Sequence, residues 1–379
     1  MPQLSSNRLD LIQVLRAVAA ILVLFTHSID RLRITFPMLG KDEWPDNNSG
    51  IYSIGNSGVD IFFVISGFLM LYVNYDYFQR PGAPRRFFLK RLVRIIPLYW
   101  SLTTLAVIMI VVSPSVFTYR NHVIPEWIIG SYLFVPVAMD SGIVSPVIGP
   151  GWTLNFEMYF YLLFSICLIW SRVRALLCLC IFFCLSVIIG AILHPLSPLP
   201  ALMTSGQLLE FMAGMLIALA SKEALPFSRW GSLASIIIGW MFLLLSTVYF
   251  TPRVGDGLGR FLFWGIPAAM IVAGAKDLSL GRGPLGKPLI LLGDGSYSIY
   301  LFHTFALPAS AIILRRSGMQ SLVSFDMMVI FLIVIGIVSG MLCWYFVERP
   351  MTSRFTKLVH TQELPVAVMR AEAAETVTG

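Results

Sequence analysis

Charge is what this sequence has least of. Asp, Glu, Lys and Arg make up 12% of its 379 residues, against 57% hydrophobic, about half the charged share of a soluble domain. A surface so poor in charge faces something other than water. Apolar runs of about 20 residues recur along the whole chain and point to lipid, which excludes a soluble globular protein. Cysteine is scarce too. Cys167, Cys178, Cys180, Cys184 and Cys343 all lie in apolar runs. None has the Cys/His spacing of a metal site, so no metal is expected; the five read as small buried hydrophobes without a disulfide framework. There is no internal repeat and no soluble domain. No small-residue cleavage pattern follows the first apolar run, which is expected to stay as the first helix. The formal charge of +7 does not imply a nucleic-acid partner. Positive residues collect in the loops a membrane protein keeps in the cytoplasm.

The apolar spans are 11–30, 56–76, 93–113, 152–171, 174–193, 203–221, 231–250, 259–276, 294–315 and 326–347. The stretch 123–138 is short and interrupted by Pro125, Glu126 and Pro136, so a re-entrant or interfacial element is expected there. With the N-terminus in the cytoplasm, eighteen Lys and Arg fall inside and eight outside, with Arg16 left within a helix. This bias favours both termini inside and an even number of spans. The expected fold is an all-α integral membrane protein with about ten transmembrane helices. Residues 8–350 would form one membrane-embedded domain, and 351–379 a cytoplasmic tail disordered at its Ala/Glu/Thr-rich end.

Ionisable residues inside a membrane cost several kcal/mol and mark function by default. In the first helix these are Arg16 and His27, eleven residues apart. That spacing is a rise of about 16 Å with an angular offset of about 20°, so both share one stripe, and Asp30 lies one turn beyond His27. Asp60 opens the second span near the same depth as His27; it also suits a helix N-terminus. Arg91 and Arg94 stand one turn apart at the start of the third span. Positive-inside anchoring accounts for much of that basic cluster, and paired guanidinium groups also bind phosphate. Glu157 lies about a turn and a half into the fourth span, where pairing with an arginine or a hydroxyl is the alternative to a chemical role. His303 lies near mid-span in the ninth and either lines the same cavity or packs through hydrogen bonds. Basic residues at the cytoplasmic mouth and His27, Asp60 and Glu157 near the outer side suit a ligand with a phosphate head and a distant reactive tip. Acyl-coenzyme A has that shape.

The residues also resemble a known family. Arg16 and His27 in the first helix, the segment Gly58–Phe68 (GVDIFFVISGF), the Arg91/Arg94 pair, the segment Gly151–Tyr161 (GWTLNFEMYFY) and the run Ser296–His303 (SYSIYLFH) match, in order, the acyltransferase-3 family of multi-spanning membrane acyltransferases. The likeness covers about residues 8–350 and is greatest to bacterial exopolysaccharide acetyltransferases. It implies an inner-membrane enzyme moving an acyl group from a donor such as acetyl-CoA to a sugar hydroxyl of a polysaccharide or lipid-linked glycan. Polysaccharide-assembly proteins are possible partners. His27 would be the key catalytic residue; Arg16, Arg91 and Arg94 would bind the donor. Asp30, Asp60 or Glu157 would orient or stabilise the imidazole, and Trp152 and His303 are candidate substrate contacts. His27 would act as general base or carry the acyl group covalently. The rival reading is a transporter or flippase for a glycolipid or small solute, which often shows matching halves; none is visible.

Overall fold

The computed structural model describes residues 9–36, 50–112, 124–139, 142, 144–223, 225–249, 257–280, 283–284, 286–318 and 321–357. Among them regular structure is helical apart from one antiparallel bridge between Ala138 and Val144. In chain order the helices are α1 (Asp10–Thr35), α2 (Gly58–Asn74), α3 (Ala83–Val112), α4 (Pro125–Leu133), α5 (Trp152–Cys167), α6 (Arg172–Leu193), α7 (Pro198–Met203), α8 (Leu208–Lys222), α9 (Arg229–Tyr249), α10 (Leu258–Arg260), α11 (Ile266–Ala275), α12 (Gly286–Asp294), α13 (Ser296–Ser317) and α14 (Phe325–Cys343). Among the described residues nine helical segments are long and apolar enough to cross a bilayer; α7 with α8, and α10 with α11, each count as one, and the last extends to Lys357.

The expected span 152–171 departs from this pattern. Its helix, α5, has 16 residues and rises about 24 Å, less than the roughly 30 Å hydrocarbon core. A 3₁₀ turn, Gly149–Gly151, precedes it. At its far end Leu168 and Ile169 fold back onto Phe164, Ser165 and Ile166. The stretch expected to be re-entrant or interfacial holds α4, nine residues with Pro125 in its first turn and a left-handed Phe134 (φ 58°) ending it. It rises only about 14 Å. The expected tail begins as helix, through Lys357. Residues 358–379, with His360 and Arg370, lie outside the described residues, as do Arg8, Lys41, Arg120, His122, Arg253 and Arg282.

What faces outward confirms the solvent. On α6, Leu177, Ile181, Leu185, Ile188 and Ile192 are all exposed and recur at helical spacing along one face. So continuous an apolar stripe is stable against lipid and not against water. Cys178 and Cys184 belong to the same exposed side, which corrects the expectation that all the cysteines are buried; Cys167 and Cys343 are buried and every one is free.

Helix α2 is the central post. It packs along α8 and touches α1, α5 and α11. Its closest approach to α8 is made by two glycines facing opposite backbones. A Cβ on Gly67 would lie 2.1 Å from the carbonyl oxygen of Phe211, and one on Gly214 2.1 Å from that of Val64. Small residues allow this approach where lipid gives helices no hydrophobic drive to associate. Gly67→Ala is therefore expected to push α2 from α8 and destabilise the protein by about 1–3 kcal/mol. Thermal unfolding in detergent measures this. An unchanged midpoint would mean the helices stand farther apart.

Candidate active site

Helix α1 carries residues into two separate cavities. Toward its N-terminal half, Arg16 lines the first, together with Arg91 and Arg94 from α3, Glu157 and Tyr161 from α5, and Tyr297 and Tyr300 from α13. Arg16 donates to Gln13 Oε1 at 3.1 Å. Arg91 lies over the rings of Phe87 and Tyr161, at 5.5 and 5.8 Å, and its Nε has no hydrogen-bond partner among the described residues. Glu157 accepts from the Tyr161 hydroxyl at 3.1 Å. Glu348 accepts from the Ser298 hydroxyl at 2.5 Å, and Glu348, Glu157 and Asp294 are the carboxyl groups close enough to act electrostatically on Arg16. Among the described residues none of the three arginines has a carboxylate within ion-pair distance. The cavity is narrow, about 80 Å³.

The second cavity, about 400 Å³, takes His27, Asp30 and Arg31 from α1, His303 and Thr304 from α13, and Gly149 and Pro150 from the turn before α5. His27 Nδ1 lies 2.8 Å from His303 Nε2, the rings stacked with centroids 4.8 Å apart. His303 Nδ1 is 3.3 Å from the Ile299 carbonyl. A carbonyl only accepts, so His303 carries its proton on Nδ1, and its Nε2 accepts a hydrogen bond from the N–H of His27 Nδ1. The lone pair of His27 then sits on Nε2, available as a base.

One layer of side chains divides the cavities. Tyr300 borders the arginine side and His303, three residues on, the histidine side. The Tyr300 hydroxyl donates to the Pro150 carbonyl at 2.9 Å and lies 2.9 Å from Thr153 Oγ1, which is 3.1 Å from the same carbonyl.

The expected outer cluster is thus divided. His303 and Asp30 share the cavity of His27. Glu157 lies instead with the arginines. Asp60, fully buried, meets Arg260 two-pronged: Nε to Oδ1 at 2.8 Å and Nη2 to Oδ2 at 2.7 Å. Arg260 also donates to the Asn56 carbonyl and stacks on Trp264, and buried Glu210 stands beside the pair. Asp60 is therefore committed to Arg260 and not to the imidazole. Trp152 packs edge-on against Phe63 and Phe156 and borders a third, larger groove. Arg260 reads in sequence as a loop cation, and its partner is 200 residues away. Glu210 carries a legible signal, a carboxylate inside the apolar run 203–221, which marks it in retrospect. Tyr300 and Thr153 have no sequence signal apart from their place in the matching motifs.

Asp60→Ala would leave Arg260 buried and uncompensated, with an expected loss of about 3–5 kcal/mol. Adding Arg260→Met should recover much of it in a double-mutant cycle on thermal unfolding. Purely additive losses would show that the pair is not coupled.

The family profile described as "Acyltransferase domain" matches residues 9–349. Exopolysaccharide production protein ExoZ of Rhizobium meliloti (strain 1021) is 32% identical over 308 residues, covering 80% of this chain and 91% of the relative. The provisionally assigned peptidoglycan O-acetyltransferase YrhL of Bacillus subtilis (strain 168) is 26% identical over 283 residues, 66% of this chain but only 44% of that longer protein. No solved structure matches the chain.

Proposed function

The chain belongs to the acyltransferase domain family, and from that premise we propose that it moves an acetyl or similar short acyl group from acyl-CoA to a sugar hydroxyl of an exopolysaccharide or related cell-surface glycan. The observation that carries the reading is the pairing of a cation-rich cavity with a histidine cavity along one helix. Arg16, Arg91 and Arg94 without ion-paired carboxylates call for an anion, and the phosphates of a coenzyme A ester supply one. His27, about 16 Å along α1 from Arg16, stands where the thioester end of such a donor would arrive. The arginine cavity, about 80 Å³, is too small for a nucleotide, so in this reading the slender arm of the donor enters it and the layer holding Tyr300 must open for the thioester to reach His27.

In this mechanism the sugar oxygen attacks the thioester carbonyl while His27 Nε2 takes its proton. The C–S bond breaks, and the imidazolium returns that proton to the leaving thiolate. His303 fixes the tautomer of His27. Exopolysaccharide as acceptor follows the name of the Rhizobium relative. The charge bias of the loops favours cytoplasmic termini, and a bacterial inner membrane is what the likeness to the family implies.

The test is complementation of a deletion strain. Wild type should restore ester-linked acyl groups on the secreted polysaccharide, and His27→Ala, equally expressed, should leave them at background. Full restoration by His27→Ala would overturn the mechanism. A labelled acyl-enzyme trapped on His27 would replace direct transfer by a covalent relay. In purified protein Arg94→Met should raise the KM for acetyl-CoA roughly 10- to 100-fold. Because Arg94 sits among like charges, the same change should leave the unfolding temperature unchanged or raise it; a large drop would make Arg94 a structural residue.

A further inference from the structure

The groove bordered by Trp152 belongs to neither half of the site described so far. It is a groove of about 880 Å³, inside the range of about 300–1,000 Å³ typical of ligand pockets. Its walls come from the loop at Val144–Pro146, the first turns of α5, the C-terminal end of α6 with His194, α7, and the Thr204–Gln207 link into α8. We infer that this groove is the acceptor site and that it binds the uncharged sugar residues of the glycan. This rests on the acyltransferase reading above and adds where the second substrate lies.

Three observations carry it. First, no Asp, Glu, Lys or Arg is among the residues lining the groove, whereas the donor cavity has three arginines and a carboxylate. The groove thus suits a neutral ligand rich in hydroxyls and rejects the phosphates of the donor. Second, it offers groups that bind sugars: the amide of Asn155, the Thr204 hydroxyl, which donates to the Pro200 carbonyl and keeps its lone pairs, the hydrogen-bonded pair of Ser205 and Gln207, and the indole of Trp152 as an apolar platform. Asn155 is 5% exposed and its Oδ1 has no hydrogen-bond partner among the described residues. A buried acceptor left empty is unfavourable, and a sugar hydroxyl would satisfy it. Third, the segment 144–157 serves all three cavities. Ser145, Pro146, Trp152 and Asn155 face the groove, Gly149 and Pro150 the histidine cavity, and Thr153 and Glu157 the donor cavity. The groove and the histidine cavity share this stretch of chain in their linings, so a glycan in the groove lies against the loop that also borders the base.

The experiment uses purified full-length protein, labelled acetyl-CoA and two acceptor preparations: the host's exopolysaccharide stripped of esters by mild alkali, and lipid-linked sugars extracted from host membranes. Asn155→Leu removes the empty acceptor. Ala201→Trp fills the groove from an exposed position on α7. Each should raise the acceptor KM roughly tenfold or more while the acetyl-CoA KM stays within about twofold. Trp152→Phe should retain most acceptor affinity and Trp152→Leu should not. The preparation whose KM responds identifies the form of the glycan. An unchanged acceptor KM in both Asn155→Leu and Ala201→Trp would overturn the assignment, as would a rise confined to the acetyl-CoA KM. The acetyl-CoA KM also reports that each variant is folded. If wild type transfers nothing from acetyl-CoA to either acceptor, the acyltransferase mechanism has failed; active wild type with indifferent variants means that the groove assignment alone has failed.

Discussion

A guanidinium taken out of water must meet a carboxylate or a ligand. The two ways in which this chain meets that demand organise the rest of the structure. Arg260 is held by Asp60 on both prongs, which ties the end of α10 to the start of α2 and sets the central post against its neighbours. Arg16, Arg91 and Arg94 are gathered from two helices around one cavity that Glu157 also lines, and among the described residues none has a carboxylate within ion-pair distance. The first arrangement is an ion pair formed within the chain. The second has the charge to take an anion, so in the reading proposed above the same residue type is a strut in one place and half of a binding site in another.

The parts legible in the sequence were those carried by a single helix. Arg16 and His27 share α1, which runs unbroken from Asp10 to Thr35, so their spacing translates directly into distance. Arg91 and Arg94 were legible as a one-turn pair for the same reason. The long apolar runs announced the membrane because nothing else tolerates them. Relations between helices were not legible. Asp60 and His27 lie at similar expected depths, yet depth says nothing of azimuth, and Asp60 faces Arg260 instead. Glu157 was placed with the outer cluster by the same shortcut, and it faces the arginines. The shortness of α5 is set by the turn at Leu168 and Ile169, which hydropathy does not register because those residues are as apolar as the helix before them.

The segment before and into α5 concentrates most of the design. A 3₁₀ turn of Gly149, Pro150 and Gly151 delivers the chain in a compact form, and a Cβ on Gly151 would come within 3 Å of the Tyr99 ring. Successive residues then point into different cavities, as helical periodicity of about 100° per residue requires. A short, tightly packed helix can thus present three faces at one level of the bundle. A longer, straighter span could not turn its N-terminal loop inward.

The layer formed by Tyr300, Thr153 and the Pro150 carbonyl also has an electrical meaning. In an energised membrane a potential of 100 mV is worth about 2.3 kcal/mol per elementary charge. Were water to fill the two cavities from opposite faces of the bilayer, most of that drop would fall across this layer. The imidazole pair beside it would then lie at the edge of a steep field, with these hydroxyl and carbonyl groups standing between the two sides.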